Sequence, residues 1–136
     1  MTFRETDYLS LDDAIGIHDL ILESMGDLPA ALRDEGLLDS ALSRPKHATH
    51  YTGVDIITQG CILTVAIAEN QPFVEGNKRT GMVCGLTLME RNGWTFIGDD
   101  ELLAVLLVEA AGKPQEQAIS TIDEWIRPYL ILILAA

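Results

Sequence analysis

The sequence predicts an all-α domain, because apolar residues recur at helical spacing along most of the chain and turn signals separate the helical stretches. The chain has 136 residues, the length of one domain, so residues 1–136 are expected to fold as a single unit. Hydrophobic residues make up 48% of the sequence. That share supports a buried core and argues against intrinsic disorder.

Three helices are predicted in the first half of the chain, over residues 10–26, 34–44 and 55–70. Ser10, followed three residues later by Asp13, is a variant of the capping box. Asp55 is placed to cap the third helix, which is a long apolar run. The second helix is expected to stop before Pro45, because proline disrupts a helix interior. The segment Pro45–Gly53 is therefore predicted to be extended.

Three further helices are predicted, over residues 77–92, 101–111 and 114–126. Asn92 and Gly93 form a helix-stop signal, and Pro114 suits a first helical turn. Trp94–Phe96 is extended but too short for a sheet of its own. The apolar tail Tyr129–Ala136 is far shorter than the roughly 20 residues that span a bilayer. We expect it to form a packed terminal helical turn or a contact with a partner, and we expect no membrane association.

The charge of the chain is strongly acidic but unevenly distributed. The formal net charge is −12, which disfavours binding to a nucleic-acid backbone or to anionic lipid. Residues 44–91, however, carry five basic and four acidic side chains, so this stretch lacks the acidic excess. A single nucleotide with Mg²⁺ is compatible with it, whereas no direct nucleic-acid partner is expected.

The cysteines and the N-terminus favour a cytoplasmic location. Cys61 and Cys84 lie in apolar stretches and are expected to be buried free thiols rather than a disulfide framework. The first residues contain no apolar stretch of signal-peptide length.

The most informative stretch is the loop 71–76, which is predicted to lie directly before a helix. The first N–H groups of a helix have no partners inside it and attract anions, aided by the helix dipole. Lys78 and Arg79 place positive charge in the same first turn, where it opposes the dipole unless an anion is bound. This pattern favours a phosphate site.

Three residues within the loop support that interpretation. Glu75 offers a hard oxygen ligand, so Mg²⁺ bridging to phosphate is a reasonable expectation. Gly76 allows close approach of a ligand or a positive φ, and Phe73 is expected to point inward as an anchor. The spacing is not that of a Walker A motif. A solvated loop with two surface cations remains the alternative.

These residues resemble the signature of the Fic/Doc family, H-x-F-x-D/E-G/A-N-G/K-R. The positions that match in order are Phe73, Glu75, Gly76, Asn77, Lys78 and Arg79. The resemblance covers roughly residues 9–129 and favours the Doc branch. Lys78 replaces the glycine of adenylylating members, and Met82 stands where those members carry a second arginine.

The resemblance implies a compact Fic-type helical bundle with a short extended flap before the central helix. It implies a toxin of a toxin–antitoxin pair that transfers the γ-phosphoryl group of a nucleoside triphosphate to elongation factor Tu, with ATP and Mg²⁺ required and a Phd-like antitoxin as partner. AMP transfer, as in Fic-type members, is the alternative reaction. By the match, Glu75 would hold Mg²⁺, and phosphates would be held by Gly76, Asn77, Lys78 and Arg79. The implied target-binding flap comprises His47, Thr49, His50, Tyr51, Thr52 and Gly53.

Gln71 departs from the family motif, which begins with a histidine that acts as general base. An amide accepts a hydrogen bond but does not take up a proton near neutral pH, and loss of a general base costs about 10²–10⁴-fold in rate. We therefore expect impaired catalysis, whether Gln71 is natural or engineered. We assign the missing role to none of the three histidines, His18, His47 and His50, each of which is expected to be a surface or locally bonded residue. A catalytically dead binding module and a plain helical adaptor remain alternatives.

Overall fold

The computed structural model describes residues 5–28 and 32–133, which form six α-helices and one small antiparallel sheet. This architecture confirms the predicted all-α class. The helices are α1 (Leu11–Ser24), α2 (Glu35–Thr52), α3 (Ile56–Asn70), α4 (Asn77–Arg91), α5 (Asp100–Ala110) and α6 (Gln115–Ile126). The strands are β1 (Trp94–Phe96) and β2 (Leu130–Leu132), and a 3₁₀ turn, Arg127–Tyr129, precedes β2.

Helices α3 and α4 form the centre of the fold and approach each other at glycines. A Cβ atom added to Gly85 would collide with the hydroxyl of Thr64 and would lie 2.6 Å from the carbonyl oxygen of Gly60. A Cβ added to Gly81 would lie 2.6 Å from the carbonyl oxygen of Thr64. The Thr64 hydroxyl also donates a hydrogen bond to the Gly81 carbonyl at 2.9 Å. The two helix axes are therefore held at a short distance, and so are the two ends of the loop that joins them.

Two hydrophobic clusters flank this central pair. One lies between α3, α4, α5 and α6, and its most buried members include Leu103, Ile122 and Ile126. The other lies between α1, α2, α3 and α4, and it includes Leu38 and Phe73. Phe73 belongs to the loop after α3, so the loop is anchored in the core as predicted.

The predicted helix starts are confirmed by their caps. Ser10 and Asp13 form a reciprocal capping box at α1. Asp34 caps α2, Asp55 caps α3 through the Thr58 N–H, and Asp99 caps α5. Ser10 and Asp55 are the caps that the sequence predicts, because a capping side chain acts within three residues of itself.

Two arginine–carboxylate pairs tie distant helix ends together. The Arg91 guanidinium donates to Asp13 at 3.0 Å. This bond, together with the Ser10 N–H, lowers the pKa of Asp13 to about 2. Arg127 donates two hydrogen bonds of 3.0 Å to Asp55 and lowers the pKa of that carboxyl as well. The first pair joins α4 to α1, and the second joins the C-terminal turn to the start of α3.

The predicted extended flap is wrong, because α2 continues through Pro45 to Thr52. Pro45 removes one helical hydrogen bond, at a cost of about 3 kcal/mol, but its ring is fully buried and α2 packs along α3. Burial of this helix face offsets the local penalty. Of the expected flap residues, five are helical and Gly53 ends the helix in the left-handed conformation. Their main-chain groups are used within the helix, so they do not offer an edge for strand addition.

The prediction for the C-terminal tail is also wrong in its secondary structure. Instead of a helical turn, Leu130–Leu132 forms a strand that pairs antiparallel with Trp94–Phe96, with Thr95 opposite Ile131. Pro128 prevents α6 from continuing, and Leu130 is buried. Residues 134–136 lie outside the described residues. Among the described residues, none of the helices has the length and apolar character needed to cross a bilayer.

Both cysteines are buried free thiols, as predicted. Burial raises the pKa of Cys84 to about 12 and also raises the pKa of Cys61. Both thiols are therefore protonated and unreactive at neutral pH.

Gly85→Ala is expected to lower the free energy of unfolding by about 2–3 kcal/mol, because the added methyl group overpacks the contact between α3 and α4. Gly16→Ala is the matched control, since Gly16 lies in α1 with no atom near its Cβ position. That substitution should stabilise the protein by about 0.5–1 kcal/mol through helix propensity. Urea denaturation of both variants measures the difference. Equal effects of the two substitutions would contradict the close helix contact.

Candidate functional site

The loop between α3 and α4 begins and ends in the left-handed conformation. Gln71 has φ 49° and ψ 57°, and it is the only non-glycine residue with positive φ among those described. Gly76 has φ 79° and is the N-cap residue of α4. A glycine adopts this conformation without strain, whereas Gln71 must be held in it by its surroundings.

A stacked pair of aromatic rings in the core supports the loop. Phe73 is 1% exposed, and its ring lies parallel to that of His18, with centroids 3.7 Å apart and planes 5° apart. Nε2 of His18 lies 2.9 Å from the carbonyl oxygen of Glu75, so this nitrogen carries the proton and donates it. The expectation that His18 is a surface or locally bonded residue is wrong: it is fully buried and contacts the loop 57 residues away.

Asn77 closes the loop through its own side chain. Its Oδ1 accepts a hydrogen bond from the Phe73 N–H at 2.9 Å, and its Nδ2 donates to the Phe73 carbonyl at 2.9 Å. The side chain of Asn77 therefore holds the loop, and its main-chain N–H lies in the uncapped first turn of α4.

Arg33 holds the other end of the loop. Its Nε donates to the Gln71 carbonyl at 2.8 Å, and a terminal nitrogen donates to the Asn70 carbonyl at 3.1 Å. The main-chain N–H of Arg33 donates to the Pro72 carbonyl at 2.7 Å. A cation thus satisfies the last carbonyls of α3 and stabilises Gln71 in its left-handed conformation. Sequence reasoning missed Arg33, because nothing local marks a contact across 38 residues.

The loop and the first turn of α4 enclose an open cleft of about 330 Å³. Its walls are formed by Ala68, Gln71, Gly76, Asn77, Lys78 and Arg79. The structure thus brings together the predicted base position and the predicted phosphate-binding residues. The Glu75 side chain is exposed beside the cleft rather than in its wall, and the flap residues lie outside its walls.

The cleft carries uncompensated positive charge. Within the described ranges, no side chain caps α4, and neither Lys78 nor Arg79 forms an ion pair. Both cations are exposed in the first helical turn, where they oppose the helix dipole. An anion in the cleft would remove this conflict.

A second cavity of about 330 Å³ adjoins the cleft, and Gln71, Lys78 and Ala68 line both. Its remaining walls come mainly from apolar side chains of α3, α5 and α6, namely Val65, Leu107, Ala110, Ala111, Ala118 and Ile122, with Glu69 at the polar side. A ligand with an anionic part and an apolar flat part would fit the two cavities together.

The side chains near the cleft could hold a magnesium ion only if a bound ligand supplied further oxygen atoms. In the described part of the chain, no group of three or more His, Cys, Asp or Glu side chains could hold a metal. Mg²⁺ commonly uses one or two carboxylates together with phosphate oxygens and water. Glu75, as a single exposed carboxylate beside the cleft, fits that mode.

Comparison with known proteins identifies the family. A family model described as the Fic/DOC family matches residues 8–89, which include the loop and α4 down to Met89. The chain is 26% identical over 121 residues to "Protein kinase doc" of Escherichia phage P1, covering 88% of this chain and 93% of that protein. It is 35% identical over 98 residues to "Toxin Doc" of Mycolicibacterium smegmatis, covering 69% of this chain and 71% of that protein. With its loop motif, its helical fold and a model match over more than half its length, the chain belongs to the Fic/DOC family.

Proposed function

We propose that this chain is a Doc-like toxin whose fold transfers a phosphoryl group from a nucleoside triphosphate to a protein hydroxyl, and that Gln71 impairs this transfer. The observation that carries the proposal is the uncapped first turn of α4, where Lys78 and Arg79 face the same cleft as Gln71. The names of the two relatives, a kinase and a toxin, support it.

The chain's own residues would act mainly by positioning and by charge. Phosphoryl transfer through a loose transition state requires little covalent participation from the protein. The first N–H groups of α4, together with Lys78 and Arg79, would bind phosphate oxygens. Glu75 would hold Mg²⁺, which when bound neutralises phosphate charge. The adjoining apolar cavity would receive the nucleoside.

Gln71 lines both cavities and occupies the motif position where a general base would be required. Its amide can orient a hydroxyl group by a hydrogen bond but cannot remove the proton. The first turn of α4 keeps its phosphate-binding cations, but Gln71 supplies no base. This combination also favours a second candidate function, a binding module that holds nucleotide or a partner without chemistry.

Phosphoryl transfer is preferred to AMP transfer because of the cations available. Met82 is only 8% exposed and lines a groove with Lys78, Arg79 and Leu107. A buried methionine supplies no charge for distal phosphates, whereas Lys78 adds a cation where adenylylating members carry glycine. We also propose elongation factor Tu as target and a Phd-like antitoxin as partner, on the basis of the family resemblance.

Lys78→Ala is expected to weaken binding of Mg·ATP to the chain as written by about tenfold or more, since it removes a charge-assisted contact to phosphate. Lys113→Ala is the matched control, because Lys113 is also an exposed cation but does not line the cleft. Calorimetric titration measures both. Equal affinity of the two variants would contradict the assignment of Lys78.

Gln71→His is expected to restore transfer, raising the rate about 10²–10⁴-fold over the chain as written, because an imidazole takes up a proton near neutral pH. The measurement is the mass of elongation factor Tu after incubation with the variant, Mg²⁺ and ATP. An increase of one phosphate supports the proposal. An increase of one AMP would contradict phosphoryl transfer. No increase in mass with either the Gln71→His variant or the chain as written would support the binding module.

Gln71→Asn is the control for that experiment, since it keeps the amide and the tolerance of the left-handed conformation. It should leave the rate at the level of the chain as written. A gain as large as that of the histidine variant would exclude proton transfer as the cause.

A further inference from the structure

We propose that His18 is a positioning residue that holds the Glu75–Gly76 peptide with its N–H turned away from the core, toward the anion-binding side of the loop. The inference rests on the proposed function in so far as it names phosphate as the anion. The role in holding the loop stands on the geometry alone.

The contact sets the direction of one peptide group. Nε2 of His18 donates to the Glu75 carbonyl at 2.9 Å, so this carbonyl points inward. A trans peptide is planar, with its C=O and N–H on opposite sides. The N–H of Gly76 therefore points away from His18, and Gly76 forms part of the cleft wall.

This peptide needs a hydrogen bond to fix its orientation because its second residue is a glycine. Gly76 has φ 79°, and glycine crosses between backbone conformations more easily than any other residue. A flipped peptide would direct the Glu75 carbonyl oxygen toward the bound anion, where it would repel it. The hydrogen bond from His18 favours the orientation that presents an N–H.

Packing alone does not explain a histidine at this position. Its side chain is fully buried, and Nδ1 has no hydrogen-bond partner among the described residues, lying 3.5 Å from the Asp19 carboxylate. A phenylalanine would fill the stack against Phe73 without burying two ring nitrogens. A phenylalanine would lose the contacts of both ring nitrogens, but only the contact to Glu75 is a hydrogen bond, and that bond is the reason we assign to the histidine.

Three variants separate the hydrogen bond from the ring stack. His18→Phe keeps the stack and removes the donor. His18→Gln places an amide nitrogen near Nε2 and keeps the donor without the ring. His18→Met has a similar length to the glutamine and no donor, so the last two form a matched pair even if the phenylalanine variant does not fold.

The first readout is amide hydrogen exchange measured by NMR without nucleotide. The reporters are the Phe73 N–H, which bonds to Asn77, and the Thr80 N–H, which bonds to the Gly76 carbonyl. Loss of the donor should speed exchange at both by about tenfold, with the glutamine variant close to the parent. The Ala118 N–H, in the first turn of α6, should change little in any variant. Equal exchange in the Gln and Met variants, or an equal change at Ala118, would overturn the inference.

The second readout is the affinity for Mg·ATP. The Phe and Met variants should bind about tenfold more weakly than the parent, and the Gln variant close to it. If the parent binds and all three variants bind equally well, the anion-positioning role fails while the proposed function stands. If the parent itself does not bind Mg·ATP, the proposed function fails, and the exchange rates still decide whether His18 holds the loop.

Discussion

The close approach of α3 and α4 is the constraint on which the site depends. Glycines at positions 60, 81 and 85 let the two backbones come within contact of each other. The end of α3 and the start of α4 are thereby set at a short separation, and six residues must connect them. This short connection has a left-handed residue at each end, Gln71 and Gly76. The shape of the cleft thus originates in the packing of two helices rather than in the loop itself.

Inward-facing side chains hold the loop in place, while the first turn of α4 and its two cations stay exposed to solvent. Phe73 lies in the core, Asn77 binds the Phe73 backbone, and Arg33 binds the carbonyl groups before Pro72. The outer face keeps an uncapped helix start beside two exposed cations, an arrangement that is unfavourable without a ligand. An unfavourable local arrangement of this kind, inside an otherwise consistent fold, is typical of a functional site.

Local signals in the sequence were enough to predict the starts of α1 and α3, because Ser10 and Asp55 cap within three residues of themselves. The candidate phosphate site could also be predicted from the sequence, because its residues are consecutive in the chain. Pro45 misled the prediction because burial against α3 outweighs a single lost hydrogen bond. The strand Leu130–Leu132 was missed because its partner strand lies more than 30 residues away. His18 and Arg33 were missed for the same reason, since both reach the loop only through the tertiary fold.

Binding of an anion at the first turn of α4 is tested most directly by NMR on the chain as written, titrated with Mg·ATP. The backbone amides of Asn77, Lys78 and Arg79 should show the largest changes in chemical shift, with those of α6 beyond the cavity wall little affected. The dissociation constant fitted to these shift changes should agree with the one measured by calorimetry. Shifts centred elsewhere in the chain, or no shifts at these three amides at saturating nucleotide, would contradict the account.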